Sequence, residues 1–377
     1  MSVNKKLEQA ILLTKKLQVD IIYINKQKGF IIFMEQLKKK INDLMIEKKV
    51  KGMSVAVTDK EKVIFAEGFG VENMEYPDIK TRPEALYKIA SITKVITGLT
   101  LMCLKERGFL ELDKPIKEYL PWLSFKNKEA ESKMTLRHVM SHTSGLPAEY
   151  TPEGTKHEED LIHTLKEGLP ELEFASLPGD GKFLYSNWGI RIASMVMQEV
   201  TGKKYTDLAK EFIINPLKME RTTFDIHVAA TYPLSLPHLD TENGGHEVMH
   251  FMQENAARHA TGGLYSNIFD LSKIARLLLN DGKDDNNNVI VTKASLDEMR
   301  TVHGHSVKDP SIAYGLTMYV KTFGNKILHG HTGNAPPYTS GMFVDNESGL
   351  GTVVLMNSNR NDMRALVPEL VFNTLGK

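Results

Sequence analysis

From Lys51 onward the chain alternates short apolar, β-branched runs with polar turns. Met53 to Val57 and Val63 to Ala66 flank the polar stretch Thr58 to Lys62, a pattern that predicts a hairpin. Ser91 then opens a long apolar stretch (Val95, Ile96, Leu99, Leu101, Met102, Cys103, Leu104) that predicts a buried helix. Residues 111 to about 287 are mostly helical in period, punctuated by Pro115, Pro121, Pro147, Pro178-Gly179 and Pro216. Asp281 to Asn288 is polar and predicts a surface loop, followed by a helix around 292–302. Strand character returns in Leu316 to Val320, Lys326 to His329, Gly341 to Val344 and Thr352 to Met356, and Arg364 to Leu375 predicts a closing helix. Strands at both ends with helices between them predict one sheet built from both chain ends and interrupted by a helical lobe.

Composition narrows the setting. The 377 residues are 41% apolar and 25% charged, as in a globular protein with a sizeable core. Lysine plus arginine and aspartate plus glutamate both number 47, so nothing calls for nucleic acid or an anionic membrane as partner. The single cysteine, Cys103, cannot form an internal disulfide and is expected in the core. Lysines 5, 6, 15, 16, 26 and 28 break every early apolar run, so no export signal is read and a cytoplasmic location is expected. No run approaches the roughly 18 apolar residues of a membrane span. The expected organisation is a basic N-terminal extension over 1–33 and a catalytic domain over 34–377. Within it, an α/β part takes about 34–110 and 288–377, and a helical part about 111–287.

The candidate chemistry starts at Ser91-Ile92-Thr93-Lys94. Residues i and i+3 share a helix face, so the Lys94 ammonium can reach the Ser91 hydroxyl. A helix N-terminus favours an alkoxide and an oxyanion beside it. Desolvation would favour the neutral amine as a base. The competing reading makes Ser91 a helix N-cap. A Ser–Lys pair needs a second proton carrier and an oxyanion hole. Tyrosine can be the carrier, and Y-x-N triplets occur at Tyr23, Tyr185 and Tyr265. Tyr185-Ser186-Asn187 precedes an amphipathic helix, where site residues are commonly presented. His329-Gly330-His331-Thr332-Gly333 is strand-like and followed by Asn334. Such a strand can offer a backbone N–H, with Gly333 admitting substrate backbone.

These segments, in this order, resemble the serine β-lactamase and penicillin-binding-protein-like superfamily. The match is to the class C β-lactamase-like branch with its D-aminopeptidases, family VIII-type esterases and related acyltransferases. The landmarks are Tyr87 to Lys94, Thr135 to Leu146, Pro178-Gly179 to Asn187, Val200 to Gly202 and Pro216 to Met219 with Thr222 to Phe224. Thr261 to Leu264 with Asp270-Leu271, and His331 to Gly333, complete the set. The resemblance implies a β-lactamase/transpeptidase-like fold with an antiparallel sheet flanked by helices. It implies that Ser91 is acylated and that Lys94 and Tyr185 act as general bases. Asn187 would orient the lysine and a substrate carbonyl, and the N–H groups of Ser91 and Asn334 would form the oxyanion hole. His331, Thr332 and Gly333 would bind substrate. Tyr265-Ser266-Asn267 and Ser141 to Ser144 would be structural. No cofactor is called for.

Where β-lactamases carry lysine in the third motif, this chain has His331, mostly neutral at pH 7. An ester or small peptide or amide is therefore expected as substrate, handled through an acyl-enzyme. Acyl transfer or peptide cyclisation on the same scaffold is the first alternative. A D-amino-acid-specific peptidase or weak β-lactamase is another. A rival chemistry lies in His246-Glu247-Val248-Met249-His250, an H-E-x-x-H zinc hydrolase pattern, which Gly244-Gly245 would fray as a helix start. A non-catalytic scaffold is the remaining class, and the intact set Ser91, Lys94, Tyr185 and Asn187 counts against it.

Overall fold

The computed structural model describes residues 34–148, 157, 160–241, 245–250, 252, 255–306, 309–359 and 362–375. The basic extension expected over 1–33 lies outside them. Two units are distinguished, Met1–Lys49 and Val50–Lys377. In the first, residues 34–47 form a helix. Everything below concerns the second.

Its strands and main helices run as follows. β1 (Gly52–Thr58) and β2 (Val63–Gly70) form the expected hairpin. β3 (Tyr87–Lys88) leads into α1 (Thr93–Glu106). After several short helices come α2 (Asn187–Thr201), β4 (His238–Asp240), β5 (His246–Val248) and β6 (Tyr265–Ser266). Then follow α3 (Ile268–Leu279), α4 (Lys293–Arg300), β7 (Gly304–His305) and β8 (Ile312–Tyr314). β9 (Tyr319–Phe323), β10 (Lys326–Ala335), β11 (Tyr338–Asp345), β12 (Leu350–Met356) and α5 (Met363–Leu375) close the chain.

The main sheet has eight strands in the order β2-β1-β12-β11-β10-β9-β8-β7, every pair antiparallel. β1 pairs with β12, with Val55 opposite Val354, so the two chain ends do meet in one sheet. The strand expected over Leu316 to Val320 is corrected. The strands are β8 and β9, and Leu316 to Met318 form the turn between them, with Thr317 at φ +58°. An apolar run there marked burial, not extension.

β1, β11 and β12 are buried along their whole length because helices cover both faces. Strand alternation sorts the contacts. A side chain at Gly341 would strike Arg364 of α5, and one at Gly351 would meet Ala275 of α3. α1 is buried from Thr93 to Leu104. A helix apolar all round belongs inside a protein, and the hydroxyl of Thr100 returns to the carbonyl of Ile96. Cys103 is buried in it as expected.

Candidate active site

The segment before Ser91 is held from two sides. β3 pairs with β6, placing Lys88 opposite Tyr265, and the Ile89 N–H donates to the Leu264 carbonyl at 2.9 Å. The Ile89 carbonyl accepts from Ser340 Oγ of β11 at 2.7 Å. Between these anchors Ala90 takes φ +49°, a left-handed conformation that costs a non-glycine residue energy and needs such bracing. Ser91 lies in the 3-10 turn Ala90–Ile92 at the entrance to α1. It caps neither helix: the N-cap positions are Ile89 and Ile92, without side-chain caps. The N-cap explanation of Ser91 fails.

Lys94 Nζ donates to Ser91 Oγ at 3.0 Å and to the Thr261 carbonyl at 2.7 Å. One step along the same helix face, Thr97 Oγ1 donates to the Ala260 carbonyl at 2.7 Å. Together they fasten residues 260–261 beside the nucleophile turn. Lys94 is fully buried, and its ammonium stands 5.0 Å from the centre of the Tyr185 ring. Asn187, two residues on, is the first residue of α2. Ser91, Lys94, Tyr185 and Asn187 are thus brought together from segments 94 residues apart.

A cavity of about 220 Å³ opens on Ser91, lined also by Lys88, Asn187, Arg258, Thr261 and Asn334. A second cavity of about 260 Å³ shares Lys88, Arg258, Ala335 and Pro336 with it and extends to Met252 and Tyr338.

β10 lies beside the nucleophile turn, as its sequence predicts, but its residues face differently. Of His331 to Asn334 only Asn334 lines the Ser91 cavity. Gly333 packs on the nucleophile turn, so its missing side chain makes room for Ile89 and Ala90 and not for substrate. His331 is buried, with Nε2 2.9 Å from the Tyr314 hydroxyl. Burial foremost, then the charge of Lys94, pushes its pKa down to about 3, so the imidazole is neutral.

The second Y-x-N is architectural. Tyr265 and Ser266 form β6, and Asn267 caps α3 by accepting from the N–H groups of Phe269 and Asp270. The H-E-x-x-H run makes no helix. His246 and Glu247 lie on β5, where His246 Nδ1 stands 2.8 Å from Asp240, while His250 Nε2 stands 3.0 Å from Glu75. The i,i+4 geometry of a zinc helix is therefore not formed. Sequence reasoning did not pick out the Thr261 carbonyl, Lys88, Arg258 or Tyr314. A backbone carbonyl has no signature in a sequence, and the others become neighbours of the site only through folding.

A family model described as Beta-lactamase matches residues 37–375. The chain belongs to the Beta-lactamase family. Within this family setting, Protein flp of Staphylococcus aureus (strain MW2) is 27% identical over 176 residues, 46% of this chain and 35% of that protein. The Teichoic acid D-alanine hydrolase of Staphylococcus aureus is 29% identical over 187 residues, 49% of this chain and 44% of that one. The similarity thus spans less than half the length of these curated relatives. Among solved structures, the octameric penicillin-binding protein homologue from Pyrococcus abyssi has a TM-score of 0.78 at 26% identity, covering 91% of this chain and 77% of that one. Among the described residues no helix is long and apolar enough to cross a membrane.

Proposed function

We propose that this protein is a serine hydrolase that forms an acyl-enzyme on Ser91 and acts on a small ester or amide. The observation that carries this reading is the 3.0 Å contact from buried Lys94 Nζ to Ser91 Oγ, at the floor of a cavity that Asn187 and Asn334 also line. In the proposed cycle the Lys94–Tyr185 pair, carrying one proton fewer than ammonium plus phenol, takes the Ser91 proton as Oγ attacks the substrate carbonyl carbon. The N–H groups of Ser91 and Asn334 receive the oxyanion. Collapse of the intermediate breaks the bond to the leaving group, which departs with the proton returned by the same pair. Water, deprotonated in turn, then releases the acyl group.

Two observations favour an ester or a D-amino-acyl compound over a β-lactam. The third-motif cation of β-lactamases is replaced by His331, which is neutral and turned to Tyr314. One relative is named for hydrolysing D-alanine from teichoic acid. A small-molecule substrate fits two adjoining cavities that share Lys88, Arg258, Ala335 and Pro336.

The test is a panel of p-nitrophenyl esters, D- and L-amino acid amides and nitrocefin, run on wild type, Ser91→Ala and His246→Ala with a fluorophosphonate probe. Wild type and His246→Ala are expected to turn over esters or D-amides and to take the label, and Ser91→Ala to do neither. Turnover that survives Ser91→Ala but is lost in His246→Ala and in chelator would sink the serine reading.

A further inference from the structure

Ser141-His142-Thr143-Ser144 has so far been given only a structural part, yet His142 makes more contacts to Tyr185 and its neighbours than that part needs. Its carbonyl accepts from the Leu184 N–H at 2.8 Å. Its Nδ1 accepts from the Ser186 N–H at 3.1 Å. One residue therefore grips the backbone on both sides of Tyr185. Its ring also backs the Tyr185 ring, the centres 4.2 Å apart and the planes tilted by 38°. Tyr314 also packs on the imidazole, at 4.8 Å, and in turn meets His331.

The grip requires an unusual backbone. His142 has φ +59°, and this left-handed bend lets carbonyl and side chain of one residue face the same passing segment. The segment is itself pinned: Ser141 Oγ donates to the Arg137 carbonyl at 2.7 Å, and the Thr317 N–H donates to the Met140 carbonyl at 2.8 Å.

We propose that His142 is the positioning residue for Tyr185: it clamps the Leu184–Ser186 backbone and backs the Tyr185 ring, setting the distance from Tyr185 to Lys94. This rests on the reading of Tyr185 as a proton carrier. The tautomer follows from the geometry. An Nδ1 that accepts from a backbone N–H carries no proton, so the neutral ring bears its proton on Nε2. Protonating Nδ1 would remove the acceptor and release Ser186. The titratable groups around the ring are Tyr185, Tyr314, His331 and Lys94. Burial foremost, then the charge of Lys94, holds His142 well below the usual histidine range. The clamp is therefore closed at neutral pH.

Asparagine and alanine at position 142 separate the parts. Asparagine tolerates the left-handed backbone and can offer an oxygen to Ser186 N–H, but it has no ring. Alanine offers neither. With the ester or amide found active above, kcat is expected to fall about tenfold in His142→Asn and about a hundredfold or more in His142→Ala, the range set by misplacing a catalytic base by about 1 Å. KM stays within about twofold, because His142 does not line the cavity. The pH profile of kcat shifts in both variants. Rates are normalised to sites titrated with fluorophosphonate and read well below each variant's melting temperature. Unchanged kcat and an unchanged pH profile in His142→Asn and His142→Ala would overturn the proposal, as would equal losses that vanish on normalisation. If alanine prevents folding, His142→Asn decides by the same two readouts. Ser91→Ala run in parallel separates the failures: if that variant remains active, the serine-hydrolase reading falls first.

Discussion

Gly333 of β10 lies against the carbonyl of Ile89 with no space for a side chain: a methyl group built on it would stand 2.3 Å from that oxygen and 2.2 Å from Ser340 Oγ. The same Ile89 carbonyl receives the Ser340 hydroxyl, so β10, β11 and the nucleophile turn meet at one point. The strand that carries Asn334 is thereby set against the turn that carries Ser91.

Gly333→Ala is expected to push β10 away from Ser91. Overpacking of this kind costs about 1–3 kcal/mol, and an oxyanion donor moved from its place lowers kcat about a hundredfold. Kinetics and urea unfolding on the variant check both effects. Adding Ser340→Ala should not restore activity, since the contact with Ile89 remains.

Lys94→Ala removes the ammonium that bridges Ser91 and Thr261. The expected loss in kcat is about 10²–10⁴-fold, with fluorophosphonate labelling of Ser91 slowed in parallel. Labelling at the wild-type rate would mean that Ser91 gains its reactivity elsewhere.

The two Y-x-N triplets should part company under mutation. Asn267→Ala deletes a helix cap and is expected to cost about 1 kcal/mol of stability with kcat per titrated site retained. Asn187→Ala is expected to do the reverse, lowering kcat with a smaller change in melting. Circular dichroism melts beside active-site titration read both.

Acid should destabilise the fold through His331. Its folded pKa, about 3, lies below the ordinary value of about 6.5, so between these limits the unfolded chain holds a proton that the folded chain does not. The stability it contributes is complete above pH 6.5 and is lost as pH falls toward 3, at up to about 1.4 kcal/mol per pH unit for this one proton. Urea unfolding of wild type and His331→Gln at pH 4.5, 5.5 and 7 should show a weaker pH slope in the variant. Parallel slopes would place the His331 titration at its ordinary position.

Local features were the legible ones. Ser91 and Lys94 share a helix face by spacing alone, and the hairpin of β1 and β2 follows from a period-2 pattern around a polar turn. Features that depend on what lies opposite were hidden. The space beside Gly333 is filled by Ile89. The His331 ring faces Tyr314. Leu316 to Met318 was expected as strand and is a buried turn. His142 was read as part of a structural loop, and a histidine in a loop carries no sign of the segment it will grip.

The sequence by itself determined the family and its order of motifs, the sheet assembled from both chain ends, and the pairing of Ser91 with Lys94. The family rests on the resemblance of its ordered motifs, and the other two are written in spacing and periodicity, which act along the chain. Only the tertiary structure decided which carbonyl receives Lys94, which way His331 turns, and that the backbone around Tyr185 is held by His142. These depend on contacts between residues 17 to 167 positions apart, where the side of an element that meets water or core is chosen by packing.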